Sequence, residues 1–171
     1  MTSQRQIHEV PAEHLRLLGD MTVTFGLIHF QLMTIAHCVI GLDRPWEQAI
    51  TAELSLAQVR SIILSVYRKK YGEDADFPRL KELMQRSELL EQRRNAITHS
   101  LWTVGADMTQ TSRLKITAKQ NSGLKHVFED MTEASLSNEV QKFHELSDDL
   151  RTFEIQVCHG LINKPPAFPW A

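Results

Sequence analysis

Leu18, Met21, Phe25, Ile28, Leu32, Ile35, Val39 and Leu42 recur at alternating three- and four-residue intervals. That stripe predicts one long helix with a coiled-coil-like seam, from near Pro11 to around Gly41. Its flanking positions are uncharged too, so burial is expected on more than one side, by the core and by a partner subunit. A loop with Asp43, Arg44 and Pro45 follows. Leu56, Val59, Ile62, Ile63 and Val66 predict a second helix over 55–71. Arg68, Lys69 and Lys70 fall in its last turn, where cations suit the dipole, and Gly72 stops it. Asp76 and Pro78 open a third helix that runs to about Leu101. Its stripe is Leu80, Leu83, Leu90, Ile97 and Leu101, with Ser87 and Arg94 in the same register.

From Thr103 the pattern changes. The residues are rich in Thr and Val, partly alternate, and include the turn signal Asn121-Ser122-Gly123. Short strands are expected over 102–107, 112–119 and 124–129. From about Thr132 a last helix returns to the three-and-four seam with Leu136, Val140, Phe143, Leu146, Leu150, Phe153, Val157 and Leu161. The pattern predicts a mainly α fold: an antiparallel four-helix bundle with a small β excursion, residues 102–130, between the third and fourth helices. Residues 1–10 and the proline-rich 163–171 read as flexible or extended tails.

The chain has 171 residues, 42% of them apolar and 23% charged, which suits a single folded domain over 1–171 and excludes wholesale disorder. Residues 21–42 carry no formal charge and could span a bilayer by length. Three Thr, a Gln, two His and two Gly lie among them with no flanking Lys/Arg cluster, so a buried core helix is expected instead. No basic region runs directly into an apolar stretch at the N-terminus, the layout a signal peptide requires. Two cysteines, Cys38 and Cys158, exclude a disulfide framework and a four-cysteine zinc module. A cytoplasmic protein without a membrane span is expected.

The net charge is −2, so the chain is no globally basic nucleic-acid binder, but its charge is unevenly spread. Residues 1–54 carry net −3, residues 55–128 net +6 and residues 129–171 net −5. Arg113, Lys115, Lys119 and Lys125 lie between Met108 and Phe128, a stretch without an acidic residue. They read either as edge-strand protection or as a patch facing phosphates. The acidic last helix, with Glu145, Asp148 and Asp149, reads as a solvated face.

The third helix holds the most informative run, Glu91 to Trp102. An arginine in an apolar stripe needs an anion or a cavity, since burying it unpaired is costly. Asn95 and His99, four apart, share a face with Glu91, so the amide can orient the imidazole. Arg94 and His99 diverge by about 140° around the axis and about 7.5 Å along it. Two copies of the helix about a two-fold axis bring two such pairs to one cleft. His37-Cys38 and Cys158-His159 suggest zinc, but adjacent helical residues point about 100° apart and all four cannot readily converge. No HExxH, P-loop, GxGxxG or GxSxG run occurs.

Arg94-Asn95-x-x-x-His99, late in the third helix of an all-α bundle, resembles the R-x4-6-H motif of the HEPN superfamily (higher eukaryotes and prokaryotes nucleotide-binding). The resemblance covers residues 12 to 162. It implies a metal-independent endoribonuclease without cofactor, its composite active site shared by a homodimer, in a toxin or phage-defence role. Arg94 and His99 become the catalytic pair and Asn95 the supporting polar residue. Arg94 would hold the phosphate and His99 would serve as general base or acid on the ribose 2′-hydroxyl or leaving oxygen. Trp102 could stack a base or pack on the β excursion, and the cations 113, 115, 119 and 125 could follow an RNA backbone. A cognate antitoxin or regulatory protein is the further partner implied. Where paired toxins of this family carry a modified tyrosine two residues past the histidine, this chain has Leu101, which argues against that control. The alternative is a non-catalytic module of the same family that binds a nucleotide, RNA or protein, or a helical dimerisation protein in which the motif is coincidental.

Overall fold

A computed structural model describes residues 10–41, 51–104, 111–119 and 123–158, together with 46, 49 and 160, with the backbone alone at 117–119, 123 and 158. Among these residues the fold is mainly α, with four long helices and one three-stranded antiparallel sheet. The order is α1 (Ala12–Ile40), α2 (Leu56–Tyr71), α3 (Phe77–Thr98), β1 (Leu101–Val104), β2 (Thr111–Lys119), β3 (Gly123–Asp130) and α4 (Glu133–Phe153), then a π-helical turn, Glu154–Cys158. Leu42 and Leu161, strand positions 105–107, the turn residues Asn121 and Ser122, and both expected tails beyond Val10 lie outside the described residues.

The chain divides into two compact units, Val23–Glu91 with Phe143–Ala171, and Met1–Thr22 with Gln92–Lys142. The first is helical. Every predicted seam position from Met21 to Val39 on α1 is buried, and so is each from Leu136 to Phe153 on α4, with Val157 on the π-helical turn that follows. At the start of α1 the buried residue is Leu17 rather than Leu18, because the stripe steps back four residues from Met21. α1 is long and apolar enough to cross a membrane by length and composition. Among the described residues it is buried along one side, and Val23, Leu27 and Phe30 on the other are exposed in the single chain.

Local chemistry sets the helix ends. Ser55 and Gln58 form a reciprocal capping box at the start of α2. Gly72, at φ +75°, closes that helix with its N–H on the Arg68 carbonyl. At the C-terminus of α1, Gly41 takes φ +69° and Lys70 donates to the Ile40 carbonyl at 2.5 Å, placing a cation at the negative helix end. Phe25 meets Phe143 edge-on at 6.3 Å. The buried Gln31 amide donates to the Ser147 carbonyl at 2.9 Å while the Ser147 hydroxyl donates back at 3.2 Å. Tyr67, fully buried, donates its hydroxyl to both Asp74 carboxylate oxygens at 3.0 and 3.2 Å. Burial, reinforced by that carboxylate, raises the Tyr67 pKa.

The second unit holds the sheet, ordered β1-β2-β3. Leu101 pairs with Leu114 and Leu114 with Phe128, so these three form one row across one face. On the alternate set, Val104, Thr111 and Arg113 are buried and Trp102, Val127 and Glu129 are half-buried. The inward face is therefore the polar and charged one.

Candidate functional site at the end of the third helix

α3 ends at Thr98, three residues before the predicted boundary, because side chains satisfy its last carbonyls. Thr98 Oγ1 donates to the Arg94 carbonyl at 2.9 Å and Ser100 Oγ to the Ala96 carbonyl at 2.5 Å. The Trp102 indole donates to the Ile97 carbonyl at 3.2 Å. Arg113 reaches from β2 to donate to the Ala96 carbonyl at 3.0 Å and to Ser100 Oγ at 3.2 Å. Leu101 is thus released into β1, and its side chain is exposed rather than part of the helical stripe.

The three motif residues sit on this terminal turn. Arg94 and Asn95 are half-buried on α3 and His99, just past the helix, is exposed. Arg94 makes other interactions, while its Nε is shielded from solvent without a hydrogen bond of its own. Positions 95 and 99 are tied through the backbone, the His99 N–H donating to the Asn95 carbonyl at 3.2 Å. The expected face partner Glu91 is instead held by the buried Arg60, Nη2 to Oε2 at 2.8 Å. Arg60 also lines a cleft of about 250 Å³ with Ala57, Ser61, Leu64, Met84, Gln85 and Glu88.

Beside the turn lies an ion network that sequence reasoning missed. Arg93 clasps Glu129 with two hydrogen bonds, Nη2 to Oε1 at 2.6 Å and Nη1 to Oε2 at 3.2 Å. Its Nε reaches Glu139 of α4 at 3.1 Å, and Lys142 pairs with the same carboxylate at 3.0 Å. Arg113 Nη2 donates to Glu129 Oε2, the oxygen that Arg93 Nη1 also reaches. The Arg93 hydrogen bond, joined by that from Arg113, outweighs desolvation and holds the Glu129 carboxyl below its ordinary pKa. The Glu129 hydrogen bond likewise raises the Arg93 pKa. The only sequence signal was an excess of charge; a pair 36 residues apart in the chain is not written in spacing.

Arg113, read from the sequence either as edge-strand protection or as a phosphate contact, lies on the central strand, is 4% exposed and is ion-paired internally, so neither reading describes it in this arrangement. Its buried side chain caps α3 instead. Lys115 is half-buried and Lys125 exposed, while the Lys119 side chain lies outside the described residues. Trp102 is half-buried, with its indole N–H on the Ile97 carbonyl of α3 and its ring edge-on to His14 of α1 at 6.3 Å, so the partners it meets here are helical rather than on the β excursion. Of the zinc candidates, His37 Nε2 lies 3.1 Å from the Thr51 hydroxyl, and the Cys158 side chain and His159 are not described. Among the described residues no group of three or more His, Cys, Asp or Glu could hold a metal ion. Protein-family models, curated proteins and solved structures give no match to the chain.

Proposed function

We propose that the protein is a metal-independent endoribonuclease of HEPN type, built as an antiparallel four-helix bundle with the sheet inserted before its last helix. The observation that carries the reading is the Arg94-Asn95-x-x-x-His99 run at the end of α3, its arginine half-buried and its imidazole exposed. In the proposed reaction His99 removes the ribose 2′-hydroxyl proton as that oxygen attacks the adjacent phosphorus. The bond from phosphorus to the 5′-oxygen breaks, the leaving oxygen takes a proton, and a 2′,3′-cyclic phosphate forms. Arg94 binds the phosphate oxygens and stabilises charge in the transition state. The two side chains diverge by about 140° around the helix, so the complete site draws them from two copies of the chain. A toxin or defence role in the cytoplasm, restrained by an antitoxin or regulator, follows from the family resemblance.

A second reading, a non-catalytic module that binds a nucleotide, RNA or protein, is favoured by the burial of Arg113. The substrate-facing cations are then fewer than the sequence suggests. Cleavage of RNA in EDTA separates the two. The nuclease reading expects wild type to cut RNA, to leave a cyclic phosphate and to spare substrate with deoxyribose at the cut. His99→Ala and Arg94→Ala should each lose at least about a hundredfold in rate. Equal activity in all three proteins sinks the assignment.

A further inference from the structure

Among the described residues the outward face of the sheet is apolar and uncovered. Leu101, Ile116, Leu124 and Phe128 all point outward by strand alternation, and they are 62%, 55%, 66% and 68% exposed. Leu114, between Leu101 and Phe128, completes the row. This inverts the usual arrangement, in which the apolar face of an antiparallel sheet is buried and the polar face is wet. The cause is visible on the other side, where Arg113 and Glu129 tie the sheet to the end of α3. Four side chains at these exposures present roughly 500 Å² of apolar surface, comparable with the largest patch on a typical monomer.

We infer that this face is the surface through which two copies of the chain pair, sheet against sheet. Charge decides the occupant. Arg113, Lys115, Lys125 and Glu129 all belong to the opposite alternate set, and the outward set holds His126 and Asp130 as its titratable groups. Asp130 lies at the end of β3, where the Ser112 hydroxyl donates to it at 2.6 Å. A nucleic acid requires cations that this face lacks. A second copy meets it with Asp130, at the end of β3, as its one acidic group, and a two-fold axis needs only a self-complementary patch. Full pairing of the patch removes up to about 1,000 Å² of apolar surface from water, about the lower limit for a biological interface before any flanking contact is added. Leu101 lies two residues past His99, so this pairing sets both motif turns beside the interface. The inference thereby deepens the composite-site reading, and rests on it only for that consequence.

The test is sedimentation velocity of RNA-free full-length protein from about 1 to 100 µM, within the range of ordinary specific association. Wild type should be a dimer, and Phe128→Lys and Leu124→Lys should each weaken dimerisation at least thirtyfold, about the loss expected at a central anchor. Both side chains are already in solvent in a single copy, so the far-UV circular dichroism of the folded variants should be unchanged, and Tm should fall only by the stabilisation that dimerisation supplies. Phe30→Lys, on the exposed side of α1, should leave the dimer intact. Should a variant misfold, amide exchange of wild type decides: raising its concentration should slow exchange over 112–116 and 124–128. A monomeric wild type, dimers unaffected by either sheet lysine, or exchange slowed elsewhere overturns the inference, as does loss of the dimer in Phe30→Lys alone. No step uses RNA, so a dimer that does not cleave refutes the nuclease reading and spares this one.

Discussion

Replacing Glu129 with glutamine removes one charge from a network whose geometry fixes the expected cost. Arg113 is the critical partner: its side chain is 5% exposed, so its charge cannot be handed to water when the carboxylate goes. Breaking one side of a buried pair costs about 3–5 kcal/mol, because the stranded charge stays desolvated. Two features move the value to the lower end. Arg113 keeps its bonds to the Ala96 carbonyl and Ser100 hydroxyl, and Arg93 keeps Glu139. The expected loss is about 3 kcal/mol, or about 6–12 °C in Tm for a chain of this size. Urea unfolding at pH 7 by far-UV circular dichroism measures it. Arg113→Met alone should also destabilise, and the double variant should cost about 2 kcal/mol less than the sum of the two. The pH dependence supplies an independent check. The folded carboxyl titrates below its unfolded value, so its contribution is full above the ordinary glutamate range and is lost as pH falls through the depressed folded pKa. The gap between wild type and Glu129→Gln should therefore be flat from pH 7 to 5 and close in stronger acid. A cost below about 1 kcal/mol, or additive single variants, refutes the account of Arg113 as a charge held by its partner.

Other substitutions probe separate links. Ser55→Ala removes the capping box of α2 and should cost about 1 kcal/mol in urea unfolding, with the folded spectrum unchanged. Tyr67→Phe deletes a buried hydrogen bond to the Asp74 carboxylate and should cost about 1.5–3 kcal/mol by the same measurement. If the motif is catalytic, His99→Ala should lower RNA cleavage at least about a hundredfold yet shift Tm by less than about 2 °C, since the imidazole is exposed. A large Tm loss in that variant would turn His99 from a reacting group into a structural one.

The helices were legible because their periodicity records burial directly. The seam of α4 runs from Leu136 to Phe153 as the sequence pattern predicts, and Ser55 and Gly72 mark the limits of α2 by their own backbone chemistry. The end of α3 was not legible. Its stripe continues through Ile97 to Leu101, and the features that stop it, Arg113 and Trp102, belong to the strands that follow. The second and third strands were predicted nearly to their ends and the start of the first to within a residue, but not their facing. Period-two reasoning would turn Leu114, Ile116 and Phe128 inward. What turns them outward is the pairing of Arg113 with Glu129 and of Arg93 with Glu129 and Glu139, which the linear order of charges does not encode. The same pairing changes Arg113 from an expected RNA contact into a cap.

This reassignment joins the fold of the second unit to the candidate site. Arg113 holds the Ala96 carbonyl and the Ser100 hydroxyl, the residues on either side of the turn that carries His99. Arg93, which grips the same Glu129, immediately precedes Arg94 on α3. The backbone on both sides of the motif is thus anchored by one carboxylate on β3, while the imidazole remains in solvent. A positioned group needs this combination: rigid support behind it and free access in front. If the motif is catalytic, Glu129→Gln should lower the cleavage rate at a temperature where the protein is still folded, and Glu129→Asp should recover part of it. If the motif only binds, the same variants should change affinity without any strand being cut. In either case the support for the Arg94-to-His99 turn comes from charges facing the inside of the sheet, which leaves its apolar outer face available to another copy.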